Sequence, residues 1–289
     1  MALPLCAHML LVSTAELASH LDAPSWVLFD CRHDLADREK GARLYAEVHL
    51  PGAFFAAVDR DLSGPKGAGG GRHPLPSPET LAAFFAAHGV TAETTVVAYD
   101  DVGGQYAARL WWLARWIGLS RVALLDGGLP KWGAEGRPLS SVVPVRPVVP
   151  SGLRPQVDDT LRVDAAEVGR RIGDDSCALI DARAAERYRG EVEPLDPVAG
   201  HIPGARNRFY KANLRADLTF RPPEELRREF TALLAGVSPT AVTHQCGSGI
   251  TACANLFAME YAGLTGSKLY PGSWSEWVSD PARPVVRGA

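Results

Sequence analysis

Residues 178–183 read ALIDAR and residues 27–32 read VLFDCR. Each is a short apolar run that closes on an aspartate, one further residue and an arginine. The resemblance extends outward in both directions. HLPGA at 49–53 is matched by HIPGA at 201–205, and LLDGGLPKW at 124–132 by LYPGSWSEW at 269–277. The matches keep one order and lie about 150 residues apart, the mark of an internal repeat that chance does not supply. The chain is read as two copies of one plan.

Within each copy, apolar runs alternate with helical patterns. In the second, VDAAEVGRRI (163–172) reads as a helix, CALIDA (177–182) as a buried strand and PPEELRREFTALLAG (222–236) as a helix. TAVTHQC (240–246) then reads as a strand, and TACANLFAMEYAG (251–263) as a helix with Gly263 as its left-handed cap. SKLYPG (267–272) is the last strand. Strands alternating with helices imply a mainly parallel sheet with helices on both faces, an α/β fold. The proline-dense stretch 138–155 reads as an extended linker. The expected boundaries are a first domain over 1–140, a linker over 141–160 and a second domain over 161–289. A glycine-rich loop, GPKGAGGGRHPLPSP (64–78), interrupts the first copy.

The bulk numbers narrow the function. The chain has 289 residues, 46% apolar and 22% charged, with a formal charge of −3. That is the composition of a globular protein, and no basic field points to nucleic acid or an anionic membrane. No apolar run approaches the ~20 residues of a membrane span. The first residues lack a basic n-region and a small-residue cleavage site, and are read as mature sequence. The five cysteines, Cys6, Cys31, Cys177, Cys246 and Cys253, are odd in number and form no C-x-x-C pair. That argues against a disulfide scaffold or structural zinc and for a reducing compartment, the cytoplasm.

The chemistry concentrates in VTHQCGSGITACANL, residues 242–256. Open α/β sheets place their sites beyond the carboxyl ends of strands. Cys246 ends such a strand, and Gly247, Ser248, Gly249, Ile250 and Thr251 lead into a helix. A tight turn there aims backbone N–H groups at one point, and those donors with the helix N-terminus stabilise an anionic sulfur. Small side chains leave room for the amides and a substrate.

CGSGITA (246–252), with HIPGA and GSWSEW as flanking signatures, resembles the active-site loop of tandem-domain sulfurtransferases of the rhodanese superfamily, in the 3-mercaptopyruvate branch. The resemblance covers roughly 10–135 and 160–285. It implies two rhodanese-like domains, with a persulfide on Cys246 carrying sulfur from 3-mercaptopyruvate or thiosulfate to cyanide or a thiol. That is covalent catalysis with preorganised amide donors. The resemblance also makes Arg187 the binder of the anionic donor, with the loop residues 247–251 as its cradle. His73 and Asp59 match positions that, with Ser248, handle protons. A second arginine expected a few residues after Arg187 is missing; EVEPLDP stands there, which leaves the donor open and Arg189 as a candidate substitute. Aligning the copies puts Asp100 opposite Cys246, so the first domain is expected to be catalytically silent. No metal or organic cofactor is implied; the partners are a small sulfur donor, a thiophilic acceptor and, as a candidate, a thiol reductant protein.

Three rivals are weighed. A cysteine phosphatase needs C-x5-R, and the position six after Cys246 is Ala252. A cysteine hydrolase needs a paired base, which the sequence does not single out. A persulfide relay that hands sulfur to a protein partner would keep the cysteine and lack efficient turnover of small donors. His244 is expected to pack in the sheet, His49 and His201 to hold turns, and Asp30–Arg32 and Asp181–Arg183 to make structural polar contacts.

Overall fold

The computed structural model describes residues 9–67, 70–145 and 152–288. It divides the chain into two compact units. One holds the residues up to 62 with 77–158 and 217–219; the other holds 63–76, 159–216 and 220 onward. The glycine-rich loop of the first copy therefore belongs, by its contacts, with the second unit. Of the expected linker, residues 146–151 lie outside the described residues, as do Cys6 and the rest of 1–8. At the linker's far end, Gln156 and Asp158 donate backbone N–H groups to Ile117 and Trp116 (2.8 and 2.9 Å) and lie on the first unit.

The first unit has strands β1 (Leu11–Val12), β2 (Trp26–Asp30), β3 (Ala53–Phe55), β4 (Thr95–Tyr99) and β5 (Val122–Leu125). Its helices are α1 (Thr14–Ala18), α2 (Lys40–Glu47), α3 (Pro78–Ala87), α4 (Ala107–Trp116) and α5 (Gly128–Ala134). The sheet runs β1-β5-β4-β2-β3, parallel throughout. Every residue of β2 is buried, as expected of a strand covered on both faces. α4 is buried nearly all round and carries Trp111 and Trp112 into the core.

The second unit repeats the plan with α6 (Ala165–Arg170), β6 (Ala178–Asp181), α7 (Ala185–Tyr188), β7 (Arg206–Asn207), α8 (Pro223–Leu234), β8 (Val242–Gln245), α9 (Ala252–Tyr261), β9 (Lys268–Leu269) and α10 (Ser273–Trp277). Its sheet runs β7-β6-β8-β9, again parallel. A single parallel bridge from Arg162 to Leu269 occupies the place that β1 has in the first unit. The α8 face Leu226, Phe230 and Leu234 is buried at helical spacing, with charged residues elsewhere. α9 ends before Gly263, whose φ of 72° is the left-handed geometry that stops a helix.

The sequence repeats are repeated contacts. Arg32 grips Asp30 (2.7 Å) and the Val48 carbonyl (2.5 Å), and Arg183 grips Asp181 (2.6 Å) and the Gly200 carbonyl (2.8 Å). His49 stacks on Tyr45 and bonds its carbonyl (2.7 Å); His201 does the same with Tyr188 (2.8 Å). Trp132 and Trp277 each donate an indole N–H to a proline carbonyl, Pro138 and Pro284 (2.8 and 2.9 Å). The Asp-x-Arg and His-x-Pro-Gly-Ala signatures thus tie each strand to the turn that follows it.

Candidate active site

Cys246 is the first residue past β8 and is buried. Its loop is fastened along the start of α10. Trp274 N–H donates to the Cys246 carbonyl (3.0 Å), Ser275 N–H to the Gly247 carbonyl (2.9 Å), and Cys246 N–H to Ser273 Oγ (3.1 Å). Ser273 itself has a φ of 54°, a costly conformation for a non-glycine residue that its buried hydroxyl contacts hold in place. Gly249 sits at φ 77°, and a Cβ there would meet the Pro271 carbonyl oxygen at 2.3 Å. The GSWSEW stretch is therefore the second rail of the cysteine loop. Trp274 is wholly buried, with its indole N–H on Val198 (2.9 Å) and the Arg183 guanidinium over its ring (4.6 Å), which makes it core rather than pocket wall.

The corresponding loop of the first unit shows what this turn does with an anion. Asp100 stands at the strand end and accepts four backbone N–H bonds. Val102 and Gly104 donate to one oxygen (3.0 and 2.7 Å), Tyr106 and Ala107 to the other (2.8 and 3.1 Å). Burial pushes the Asp100 carboxyl above the usual carboxylate range while these bonds pull it down. Gly103, aligned with Gly249, has the same left-handed sign, φ 84°. In the second unit the sulfur of Cys246 takes the carboxylate's position in the sequence.

Around the cysteine loop, charge comes from three arginines. Arg183 is buried; burial works against its charge, and Asp181, Glu193 and the Cys246 sulfur hold it charged. Arg187, at the end of α7, pairs with Glu193 (2.6 Å) and faces Asp196 (3.6 Å), and its buried Nε has no hydrogen-bond partner. Arg72 donates its backbone N–H to Ser275 Oγ (3.0 Å) and pairs with Asp196. A Cβ on Gly247 would lie 2.9 Å from Arg72 Nη2 and 3.6 Å from Arg187 Nη1, so both guanidiniums pass over the residue next to the cysteine. Burial raises the Asp196 carboxyl, against the pull of Arg72 and Arg187.

The structure brings His73 to Ser248: Nδ1 and Oγ are 2.7 Å apart and both residues are buried. Ile250 is buried and Thr251 half-buried as the loop enters α9. Asp59 belongs to the first unit, where it faces Arg38 (3.4 Å). Arg189, the candidate for the absent arginine's place, is half-buried and paired with Glu191 (2.6 Å). His244 is fully buried within β8, and neither ring nitrogen has a partner. Cys253 is buried, with Sγ against the Gly249 carbonyl (3.4 Å). Arg72, Glu193 and Ser273 escape a sequence reading. The one signal for Arg72 is a cation among glycines directly before His73.

The rhodanese-like domain profile matches residues 13–135 and again 164–280. Among curated proteins, a probable 3-mercaptopyruvate sulfurtransferase of Pseudomonas aeruginosa is 48% identical, over 96% of this chain and 98% of its own. A putative thiosulfate sulfurtransferase, SseB, of Mycobacterium tuberculosis is 38% identical, over 96% and 97%. Among solved structures, the 3-mercaptopyruvate sulfurtransferase from Leishmania major superposes with a TM-score of 0.82 at 30% identity, over 96% of this chain and 76% of that one. The chain belongs to the rhodanese-like family, with two such domains in tandem. It is a sulfurtransferase, an enzyme that carries sulfur as a cysteine persulfide. Among the described residues, no helix is long and apolar enough to cross a membrane.

Proposed function

We propose that the enzyme takes sulfur from 3-mercaptopyruvate in preference to thiosulfate, holds it on Cys246, and passes it to cyanide or a thiol. The observation that carries this reading is the buried His73–Ser248 pair beside the cysteine. The two donors differ in proton chemistry. Sulfite leaves thiosulfate as a stable anion. Mercaptopyruvate is a thiol, and its carbon leaving group is an enolate that must be protonated.

The Cys246 thiolate attacks the donor sulfur. The C–S bond breaks, its electron pair becomes the pyruvate enolate, and the thiol proton ends on carbon. With Nδ1 of His73 unprotonated, the Ser248 hydroxyl donates to it, and the pair is placed to pass that proton. The products are pyruvate and a Cys246 persulfide anion, which the loop amides receive as the Asp100 loop receives its carboxylate. Cyanide then attacks the outer sulfur, the S–S bond breaks, and thiocyanate leaves with the thiolate restored.

Charge supports the same donor. Arg72, Arg183 and Arg187 are offset by Asp181, Glu193 and Asp196, a balance that suits a monoanion better than a dianion. Arg187, with an unpartnered Nε, is the donor's carboxylate partner. The first unit, with Asp100 in the nucleophile's position, transfers no sulfur. Among the described residues, Cys31, Cys177 and Cys246 carry free thiols, which supports a reducing cytoplasm and a thiol protein as acceptor. Side-by-side kcat/KM values for the two donors, with cyanide as acceptor, test the assignment. Mercaptopyruvate is expected to be preferred at least tenfold; equal or better use of thiosulfate would overturn it.

A further inference from the structure

A cavity of about 100 Å³ lies in the second unit where β6, β7 and β8 begin, at the end of the sheet opposite Cys246. Val168 of α6, Ile172 just after that helix and Leu179 of β6 give it an apolar floor. Thr243 of β8 stands opposite Leu179 across the strand pair and also lines it. Thr243 is 4% exposed, and among the described residues its hydroxyl has no hydrogen-bond partner. A buried hydroxyl left unpaired at a cavity wall calls for something in the cavity to pair with it. Arg206, the first residue of β7, supplies charge. Its Nη1 donates to the carbonyls of Leu233 and Leu234 at the end of α8 (2.8 Å each), which fixes the guanidinium. Among the described residues Arg206 makes no ion pair, so its charge is unspent. Arg171 also lines the cavity, but its charge goes to Glu167 (2.5 Å). Asp174 and Asp175 lie on the exposed turn at the rim, where water and salt screen them, and Asp174 is occupied by the Ser176 hydroxyl (2.6 Å).

We propose that this cavity is a binding site for a short branched aliphatic carboxylate, with the carboxylate on Arg206 and the Thr243 hydroxyl and the hydrocarbon end on Val168, Ile172 and Leu179. The site combines an apolar floor with a few fixed polar groups, the usual build of a small-molecule pocket. A guanidinium held in place is the natural partner of a carboxylate. The cavity is smaller than the ~150 Å³ space that holds benzene in an engineered protein core, so aromatic acids and organic cofactors are too large for it. The ligand would brace two strands at their beginnings: β8, which delivers Cys246, and β6, which ends on the Asp181 that holds Arg183. The site is separate from the sulfur chemistry and stands whichever donor the enzyme uses.

Cys177 makes the test direct. Its thiol lines the same cavity, half-buried, with Sγ 3.3 Å from the Asp174 carbonyl. Burial and the nearby Asp174 push the thiol up, so its alkylation is slow at neutral pH and is followed in mild alkali. The full-length enzyme is labelled with iodoacetamide, and the peptide carrying Cys177 is quantified by mass spectrometry. 3-Methylbutanoate is expected to slow the labelling along a saturating curve, about tenfold at ten times its Kd. 3-Methylbutan-1-ol, which lacks the charge, and acetate, which lacks the apolar body, are expected to slow it far less. Arg206→Gln keeps a donor for the α8 carbonyls, removes the charge and should abolish the slowing, with its unfolding temperature confirming the fold. If that variant does not fold, Thr243→Val is read in its place and should weaken the slowing. No slowing by 3-methylbutanoate at ~50 mM, well above the millimolar range of so small a ligand, would overturn the proposal. Equal slowing by the alcohol or by acetate, or undiminished slowing in the folded variant, would overturn it as well.

Discussion

The two glycines of the cysteine loop answer to different physics, and substituting each with alanine separates the loop's architecture from its chemistry. Gly249 has φ 77°, where a Cβ costs about 1–2 kcal/mol, and that Cβ would stand 2.3 Å from the Pro271 backbone oxygen. Backbone cannot swing aside as a side chain does, so overpacking adds a further ~1–3 kcal/mol. A total near 3 kcal/mol is a large share of a stability of about 5–15 kcal/mol, and lowers Tm by roughly 6–12 °C. At Gly247 the nearest atom is the end of the Arg72 side chain, 2.9 Å away, with Arg187 at 3.6 Å. Those ends move, so Gly247→Ala is expected to change stability by less than about 1 kcal/mol. It pushes the two guanidiniums off their places and lowers mercaptopyruvate kcat/KM by at least about tenfold. Thermal unfolding and steady-state kinetics on the two purified variants give the comparison. A Gly249→Ala protein with wild-type Tm, or a Gly247→Ala protein with wild-type kinetics, would refute this account of the loop.

Three further outcomes are expected. His73→Ala should lower kcat with mercaptopyruvate by about 10²–10⁴-fold and affect thiosulfate far less, since only the former needs the proton; equal losses on both donors would remove the imidazole from proton transfer. Asp100→Ala leaves four buried N–H groups of the first unit without their acceptor. It should cost about 2–4 kcal/mol in denaturant unfolding while turnover per folded molecule stays at the wild-type level; a loss of turnover would mean that Asp100 serves the reaction. Burial pushes His244 down to about 3. The unfolded chain takes up a proton near pH 6.5 that the folded chain refuses, so stability is present above that pH and lost as pH falls toward 3. Between pH 7 and 5 the loss is about 2 kcal/mol, and His201, also lowered by burial, adds in the same direction. His244→Leu should flatten the profile, and an unaltered pH dependence would contradict the assignment.

The alternation of apolar runs made the parallel sheets legible, because a strand such as VLFD must be buried on both faces to be so uniformly apolar. The repeat made the second sheet readable from the first, down to the paired Asp-x-Arg and His-x-Pro-Gly-Ala contacts. β8 was harder: Thr243, His244 and Gln245 are polar and fully enclosed, and only the glycine loop after them marks the strand. The cysteine loop was legible because it is local. The Arg72–Asp196 pair was not, since Arg72 reaches Asp196 through tertiary folding across more than a hundred residues of chain. Arg189 shows the limit of proximity in sequence: it follows Arg187 by two positions, yet at the C-terminus of α7 it pairs with Glu191.

The central claim is that sulfur rides on Cys246. Protein treated with mercaptopyruvate in the absence of an acceptor, then digested and examined by mass spectrometry, reports this directly. The expected result is one added sulfur on the peptide carrying Cys246, discharged by cyanide with an equal amount of thiocyanate, and absent from a folded Cys246→Ser protein. Sulfur on Cys6, Cys31, Cys177 or Cys253 instead, or thiocyanate still formed by Cys246→Ser, would contradict the account.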